Sequence, residues 1–447
     1  MKNDKSIIER QKLMKNRELK AVNKSINMEL NLPGSKSIAN RVLPLAAFAD
    51  GISVIHNVPD VGEDVQLMLT ALDQLGIKVE KIAMAENGCS SYKIHGCAGK
   101  IPKTNSELFL GNSGTSIRFL TAMLSLCQGN YTLTGIERMK ERPIKDLIDA
   151  LSQIGAQVSY LENSGYPPIE TSTFIDNNTP EITISGRISS QYLTGILMAL
   201  PLLKRNITVR IIDELISRPY VDITIALLNK FGIIITEIQS NVFMVMASDD
   251  SYQAIEYTVE PDASSASYFL AMAAISGYVR INHLSEHSLQ GDKNFAKVLQ
   301  MMGANVSYTD NYIECQNNKL QAININMEDM PDVAMTIAVL AAFTDGGTTT
   351  IDGISSWKVK ETDRLQAIYN ELTKLGVKVS YNNDSISITS ANGYIKQNIA
   401  VDTYNDHRMA MCFSLVAVAG HNVTINDYSC VGKTFANYFD IFEKIYN

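Results

Sequence analysis

Seven cations stand in short polar stretches of this chain: Lys36 and Arg41 in PGSKSIANR, Arg142 in MKERP, Lys360 and Arg364 in VKETDR, Arg408 in NDHRMAM and Lys433 in VGKTF. The obvious acids among them are Asp332, in MPDVAM, and Glu361, next to Lys360. Lys360 and Arg364 are four residues apart, a spacing that puts both on one face of a helix. This inventory suits a reaction between two small, multiply anionic molecules in which one proton is removed and another delivered. No nucleophile with an adjacent base stands out, so a covalent enzyme intermediate is not indicated. A P-loop is excluded as well, because Ser35 separates Gly34 from Lys36 where that motif needs Gly directly before Lys.

Weaker stretches add to the list, each with an ordinary explanation beside the functional one. LFLGNSGTSIR is a turn entering a helix, able to offer backbone amides from Asn112, Ser113, Gly114 and Thr115 to an oxyanion. RMKERPIK gathers Arg138, Lys140, Arg142 and Lys145 around a proline, as a solvated loop also does. SGRISSQY gives Ser189, Ser190 and Gln191, suited to phosphate oxygens but equally to helix capping. YNDHRMAM opens an apolar helix with Asp406, His407 and Arg408, and Asp332 has the bland reading of an N-cap aspartate.

Composition sets the limits. With 447 residues, 45% of them apolar, the chain has material for two or three domains. Its 39 basic against 47 acidic residues argue against a general nucleic-acid binder, so any bound anion must meet a local cluster of cations. Six cysteines without a CxxC pair suggest neither a disulfide framework nor a zinc site and fit a reducing cytoplasm. His283 and His287 would share a helical face, but HLSEHSLQGD reads as strand end and loop, so no metal is expected. The first 20 residues carry charges throughout and read as a polar extension, not a leader. No apolar run approaches the roughly 18 to 20 residues of a membrane span, so no membrane partner is expected.

The elements that position these residues recur. A polar turn opens an apolar helix six times, at Gly34, Gly111, Gly186, Pro261, Pro331 and Asn405, at intervals of 70 to 77 residues. A short alternating strand follows each helix, as in YTLTGI and TTTIDGI. A second, amphipathic helix comes next and ends in a glycine (76, 155, 232, 303, 376) that leads into another strand. The sixth repeat stops before its closing strands, and the strand-like segment LKAVNKSINMELNL is the expected donor. An α/β fold of two domains follows, each of three repeats. Residues 34–259 form an inserted domain, residues 1–33 with 260–447 a discontinuous one, and an anion-binding cleft is expected between them.

The stretches NLPGSKSIANR, LFLGNSGTSIR, RMKERPI, SSQYLT, DASSASYFLA, PDVAMTIA, VKETDRL and YNDHRMAMCFSLVA, in this order from about residue 20 onward, resemble the EPSP synthase family. That resemblance implies an inside-out α/β barrel of two domains, each of three βαβαββ units. It implies transfer of the enolpyruvyl group of phosphoenolpyruvate to the 5-hydroxyl of shikimate 3-phosphate, in aromatic amino acid biosynthesis, by a monomer with no metal or organic cofactor. Carried onto matching positions, Lys36, Ser37, Arg41, Ser189, Ser190, Gln191, Ser217, Tyr220, Asp332, Ser356 and Lys360 would hold shikimate 3-phosphate. Lys36, Asn112, Ser113, Gly114, Thr115, Arg142, Gln191, Arg364, Arg408 and Lys433 would surround phosphoenolpyruvate. Asp332 would take the hydroxyl proton and Glu361 protonate the methylene carbon, with Lys36 or Lys433 assisting departure of phosphate.

The chain departs from the family pattern at Ser356, where asparagine is common, and at Phe119, where proline is familiar. Gly114 is kept at a position where alanine in some members excludes glyphosate. The rival expectations are a transferase acting on UDP-N-acetylglucosamine, which usually carries a loop cysteine absent from GIERMKERP, and a silent anion-binding protein, which would have lost Asp332 or Glu361.

Overall fold

A computed structural model describes residues 16–85, 87–247 and 252–446, so most of the polar extension lies outside the described residues. The chain divides into two units, Pro33–Glu260 and Met1–Leu32 with Pro261–Asn447. The described strands form six sheets, five of four strands and one of three.

One plan underlies them. In the second repeat Asn105–Phe109 runs parallel to Asn130–Thr134, with the helix Gly114–Leu124 connecting the two. Ile169–Ser172 lies antiparallel to Asn130–Thr134, and Gln157–Tyr160 antiparallel to Ile169–Ser172. The third and fifth repeats copy this arrangement. The first and fourth exchange their leading strands. Ile26–Leu30, which precedes repeat one in sequence, pairs in parallel with Gly277–Asn282 of repeat four, whereas Glu256–Thr258, which precedes repeat four, pairs in parallel with Ile52–Val58 of repeat one.

The sixth sheet is completed by the N-terminal segment, as its missing strands require, but not by one long strand. Arg17–Leu19 pairs antiparallel with Val423–Ile425, and the rest of the segment leaves for the fourth repeat. The buried positions Leu19, Val22, Ile26 and Leu30 lack the period of two that one continuous strand imposes. Between the two strands, the Ala21 amide donates to Asn422 Oδ1 at 2.9 Å and the Val22 amide to the Ala417 carbonyl at 2.8 Å.

The opening helix of each repeat is the core element. Every residue of Gly114–Leu124, Ala334–Leu340 and His407–Phe413 is buried, and in Lys36–Phe48 all but Lys36 and Ser37. Helices that are apolar on all sides have nowhere else to go. The second helices are one-sided: Glu63–Gln74 buries Val65, Met68, Ala71 and Leu72, the stripe of an amphipathic helix.

Each of the five second helices that is followed by a glycine closes in the same way. Gly76, Gly155, Gly232, Gly303 and Gly376 all have positive φ, between +82° and +104°. The next amide then reaches back into the helix, Ile77 to the Leu72 carbonyl and Val377 to the Leu372 carbonyl, each at 3.0 Å. A side chain is strained at every one of these positions, by about 1–2 kcal/mol, but its surroundings differ. A Cβ on Gly155 would lie 2.0 Å from the Ile175 carbonyl oxygen, while one on Gly232 would meet only the flexible side chain of Gln253. Gly155→Ala should therefore lower the urea midpoint more than Gly232→Ala in the same unit; equal midpoints would show that backbone strain alone sets the cost.

Candidate active site

In the discontinuous unit, Asp332 sits in the turn before Ala334–Leu340 and does not cap that helix. Its two oxygens are taken by cations instead. Oδ1 accepts from Arg364 Nη1 at 2.9 Å and lies 3.2 Å from Lys360 Nζ, and Oδ2 accepts from Arg408 Nη2 at 2.9 Å. Burial favours the neutral acid, but Arg408, Lys360 and Arg364 outweigh it and hold this carboxyl well below the ordinary aspartate range. The same burial lowers Lys360, against the pull of Asp332.

Arg364 is the hub of this cluster. Fully buried, it spends Nε on Asp406 Oδ2 at 2.8 Å, Nη1 on Asp332 and Nη2 on Glu361 Oε2 at 2.9 Å. Asp406 in turn caps His407–Phe413, accepting the Arg408 amide at 2.9 Å, which fixes the start of the helix that carries Arg408. The Arg408 guanidinium also donates to Tyr268 Oη at 3.2 Å. Lys433 is buried at the end of Tyr428–Lys433, a turn that packs on the Arg408 helix. Ser356 lies half-buried in the turn Ser355–Val359.

The inserted unit carries Lys36, Arg41, Arg118 and Arg142. Lys36 pairs with the buried Asp64 at 3.1 Å. Arg41 is buried and donates to Thr224 Oγ1 at 2.8 Å, the Ser37 carbonyl at 2.6 Å and the Tyr220 carbonyl at 3.1 Å. Its charge is met by no carboxylate among the described residues, and burial pushes its pKa down to about 10. Phe119, the departure from the family pattern, lays its ring 5.2 Å from this guanidinium, so the ring shields Arg41 from solvent. Arg118, also without a carboxylate partner among the described residues, donates to Gln191 Oε1 at 2.5 Å and the Pro143 carbonyl at 2.9 Å. Arg142 is buried on Asn112, donating to its carbonyl at 2.9 Å and to Oδ1 at 3.0 Å. Arg41 and Arg118 are thus buried cations held by neutral groups, an arrangement able to accept an anion.

The expected phosphate loop is more selective than its sequence suggests. The Ser113 amide is spent on the Leu110 carbonyl at 2.9 Å, its hydroxyl caps Ser116, and Thr115 Oγ1 accepts from Asn40 Nδ2 at 2.8 Å. The Gly114 and Thr115 amides, in the first turn of an 11-residue helix, have no acceptor among the described residues. Of the basic group around Pro143, only Arg142 turns inward: Arg138 pairs with Glu141, Lys140 with Glu137 and Glu162, and Lys145 with Asp149, as a solvated loop would. Ser189 caps Ser190–Ala199, accepting the Gln191 amide at 3.3 Å, and Ser217 takes a left-handed φ of +56° at the start of Arg218–Lys230. His283 and His287 share no helix; His287 Nε2 lies instead 3.1 Å from Asp310 Oδ1 and 3.8 Å from Glu286 Oε1, all three exposed.

Asp64, Arg118, Ser264, Tyr268 and Asp292 escaped the sequence reading. Arg118 was marked, since an arginine in a helix otherwise apolar must find a buried task. Asp64, in a first helical turn, and Asp292, in a loop, carried no such mark.

Residues 21–442 match the family model of EPSP synthase (3-phosphoshikimate 1-carboxyvinyltransferase). The 3-phosphoshikimate 1-carboxyvinyltransferase of Shewanella halifaxensis is 46% identical over 431 residues, covering 95% of this chain and 98% of the relative. That of Photobacterium profundum is also 46% identical, over 93% and 95% of the two chains. Among solved structures, EPSP synthase from Acinetobacter baumannii shares the fold with a TM-score of 0.78 at 23% identity, over 96% of this chain and 98% of that one. The enolpyruvyl transferase NikO from Streptomyces tendae shares it with a TM-score of 0.73 at 15% identity, over 96% and 97%. The chain belongs to the EPSP synthase (3-phosphoshikimate 1-carboxyvinyltransferase) family.

Proposed function

We propose that this chain transfers the enolpyruvyl group of phosphoenolpyruvate to the 5-hydroxyl of shikimate 3-phosphate and releases phosphate. The reading is carried by one observation, a carboxylate shared by three cations, Asp332 with Arg364, Lys360 and Arg408. In the addition step, the hydroxyl oxygen bonds to C2 of phosphoenolpyruvate, its proton passes to Asp332, and Glu361 delivers a proton to the C3 methylene. In the elimination step, C3 returns its proton to Glu361, the double bond re-forms, the C2–O bond to phosphate breaks, and the departing phosphate takes the proton held by Asp332. Lys36 and Lys433 are placed in this scheme beside the departing phosphate, whose growing charge they offset. Arg142, Gln191, the Gly114 and Thr115 amides, Arg364 and Arg408 hold phosphoenolpyruvate. Arg41, Ser37, Ser189, Ser190, Ser217, Tyr220, Ser356 and Lys360 hold shikimate 3-phosphate.

Asp332 is a weak base while three cations claim it. Substrate carboxylate and phosphate groups would draw on the same cations, and every charge so diverted raises the basicity of Asp332. The base is thus made ready by the anions it is to serve. Asp332→Asn should lower kcat by roughly a hundredfold or more, yet leave binding of phosphoenolpyruvate as tight as before or tighter, because a competing negative charge has gone. Near-normal turnover would reduce Asp332 to a structural counter-ion, and turnover with UDP-N-acetylglucosamine in place of shikimate 3-phosphate would move the assignment to the sister reaction.

Gly114 supports a second test. A Cβ there would lie 2.6 Å from Arg142 Nη2 and 3.0 Å from Arg118 Nη1. Gly114→Ala should displace Arg142 and raise the KM for phosphoenolpyruvate about tenfold or more, with little change for shikimate 3-phosphate. Glyphosate should inhibit the unaltered enzyme in competition with phosphoenolpyruvate; undiminished turnover at saturating glyphosate would contradict that assignment.

A further inference from the structure

Among the buried acids to which the scheme above gives no task is Asp292, the one linked to Arg408 through Ser264. Asp292 lies in the short turn Gly291–Asn294, and its Oδ2 accepts the hydroxyl proton of Ser264. Ser264 belongs to the first turn of Ala263–Ile275. Its oxygen stands 3.5 Å from Arg408 Nη2, the same nitrogen that donates to Asp332 Oδ2 at 2.9 Å. One turn along that helix, Tyr268 Oη accepts from Arg408 Nη1 at 3.2 Å. Both ends of the guanidinium are therefore met by one helix face, at positions four apart.

We propose that Asp292 is a positioning residue: by holding the Ser264 hydroxyl proton, it keeps the serine oxygen turned toward Arg408 and so sets the plane in which that guanidinium meets Asp332 and phosphoenolpyruvate. The proposal rests on the enolpyruvyl-transfer reading of the same site. At 3.5 Å the serine contact is too long for a strong hydrogen bond, so its work is orientation. A carboxylate behind the hydroxyl polarises it and makes its oxygen a better acceptor. Without Asp292 the hydroxyl rotates freely, and the guanidinium keeps Asp332 and Tyr268 but loses the oxygen between them.

The cost of keeping an acid here is visible. Burial, and then the neighbouring charge of Asp332, push its pKa up to about 6, which a residue without a task would avoid by being apolar. The turn is also anchored by Gln290, which accepts the Ala263 amide at 3.0 Å and donates to the Pro261 carbonyl at 2.7 Å.

Steady-state kinetics of the full chain with phosphoenolpyruvate and shikimate 3-phosphate test the idea, with urea midpoints as a check on folding. Asp292→Ala should raise the KM for phosphoenolpyruvate about fivefold to tenfold, with the KM for shikimate 3-phosphate changed by less than about twofold. Ser264→Ala should do the same, and the double variant should be no worse than either single one, since the two residues act as one link. Asp292→Asn should restore most of the affinity, because its amide oxygen still accepts the serine proton. An unchanged KM for phosphoenolpyruvate in Asp292→Ala would overturn the proposal, as would effects that multiply in the double variant. A failure of Asp292→Asn to rescue, or a parallel rise in both KM values with a lowered urea midpoint, would also count against it. An unaltered enzyme that does not turn over this substrate pair would instead overturn the proposed function.

Discussion

The interaction on which this site depends is the engagement of Arg364 with three carboxylates at once. A guanidinium has donors in fixed directions, and here each of the three nitrogens faces a different acid: Asp406 from the cap of the sixth core helix, Asp332 from the turn before the fifth, and Glu361 from the loop leading to Arg364 itself. A lysine has one point charge and could not fix three acids in separate directions. Burying such a group is favourable only when its partners are complete, so the loss of any one acid leaves a desolvated charge behind. The geometry of Asp332 and Glu361 is thus secured by the same ionic junction that ties two repeats together.

Two arginines of the inserted unit are held differently from those of the discontinuous unit, although Lys36 of the inserted unit pairs with Asp64. In the discontinuous unit, acids match the cations closely, and an incoming anion would have to compete for charge that is already engaged. In the inserted unit, Arg41 and Arg118 are held by carbonyls, hydroxyls and an amide oxygen, with no carboxylate among their described partners. The first arrangement adjusts proton affinity; the second favours binding of anions. Both use buried cations, Arg408 at the opening of a core helix and Arg364 at the start of the amphipathic helix Arg364–Lys374 in one unit, Arg41 and Arg118 within core helices in the other, and they differ in which neutral or acidic groups the neighbouring elements supply.

Much of this was legible in sequence because it repeats. The spacing of the apolar helices and the glycines closing the second helices mark the βαβαββ plan, and the positive φ at Gly76, Gly155, Gly232, Gly303 and Gly376 is the physical reason those positions repeat. Arg364, Arg408 and Asp332 stood out because charge at the edge of an apolar run is conspicuous. What remained hidden was pairing across distance. Nothing local distinguishes Asp64 or Asp292 from other first-turn or loop aspartates, and the role of Phe119 appears only when its ring is seen against Arg41. The division of the N-terminal segment between two sheets was likewise invisible, because a strand's partner is not written in the strand.

That division has a consequence for how the polypeptide is made on the ribosome. All twelve described strands of the three sheets in Pro33–Glu260 exist once Glu260 has emerged, whereas Ile26–Leu30 must wait for Gly277–Asn282, and Arg17–Leu19 for Val423–Ile425. Nascent chains generally fold domain by domain as they are synthesised. These two strands are therefore placed late, and a product cut short in its final repeat would carry a finished middle, a paired Ile26–Leu30 and an orphaned Arg17–Leu19.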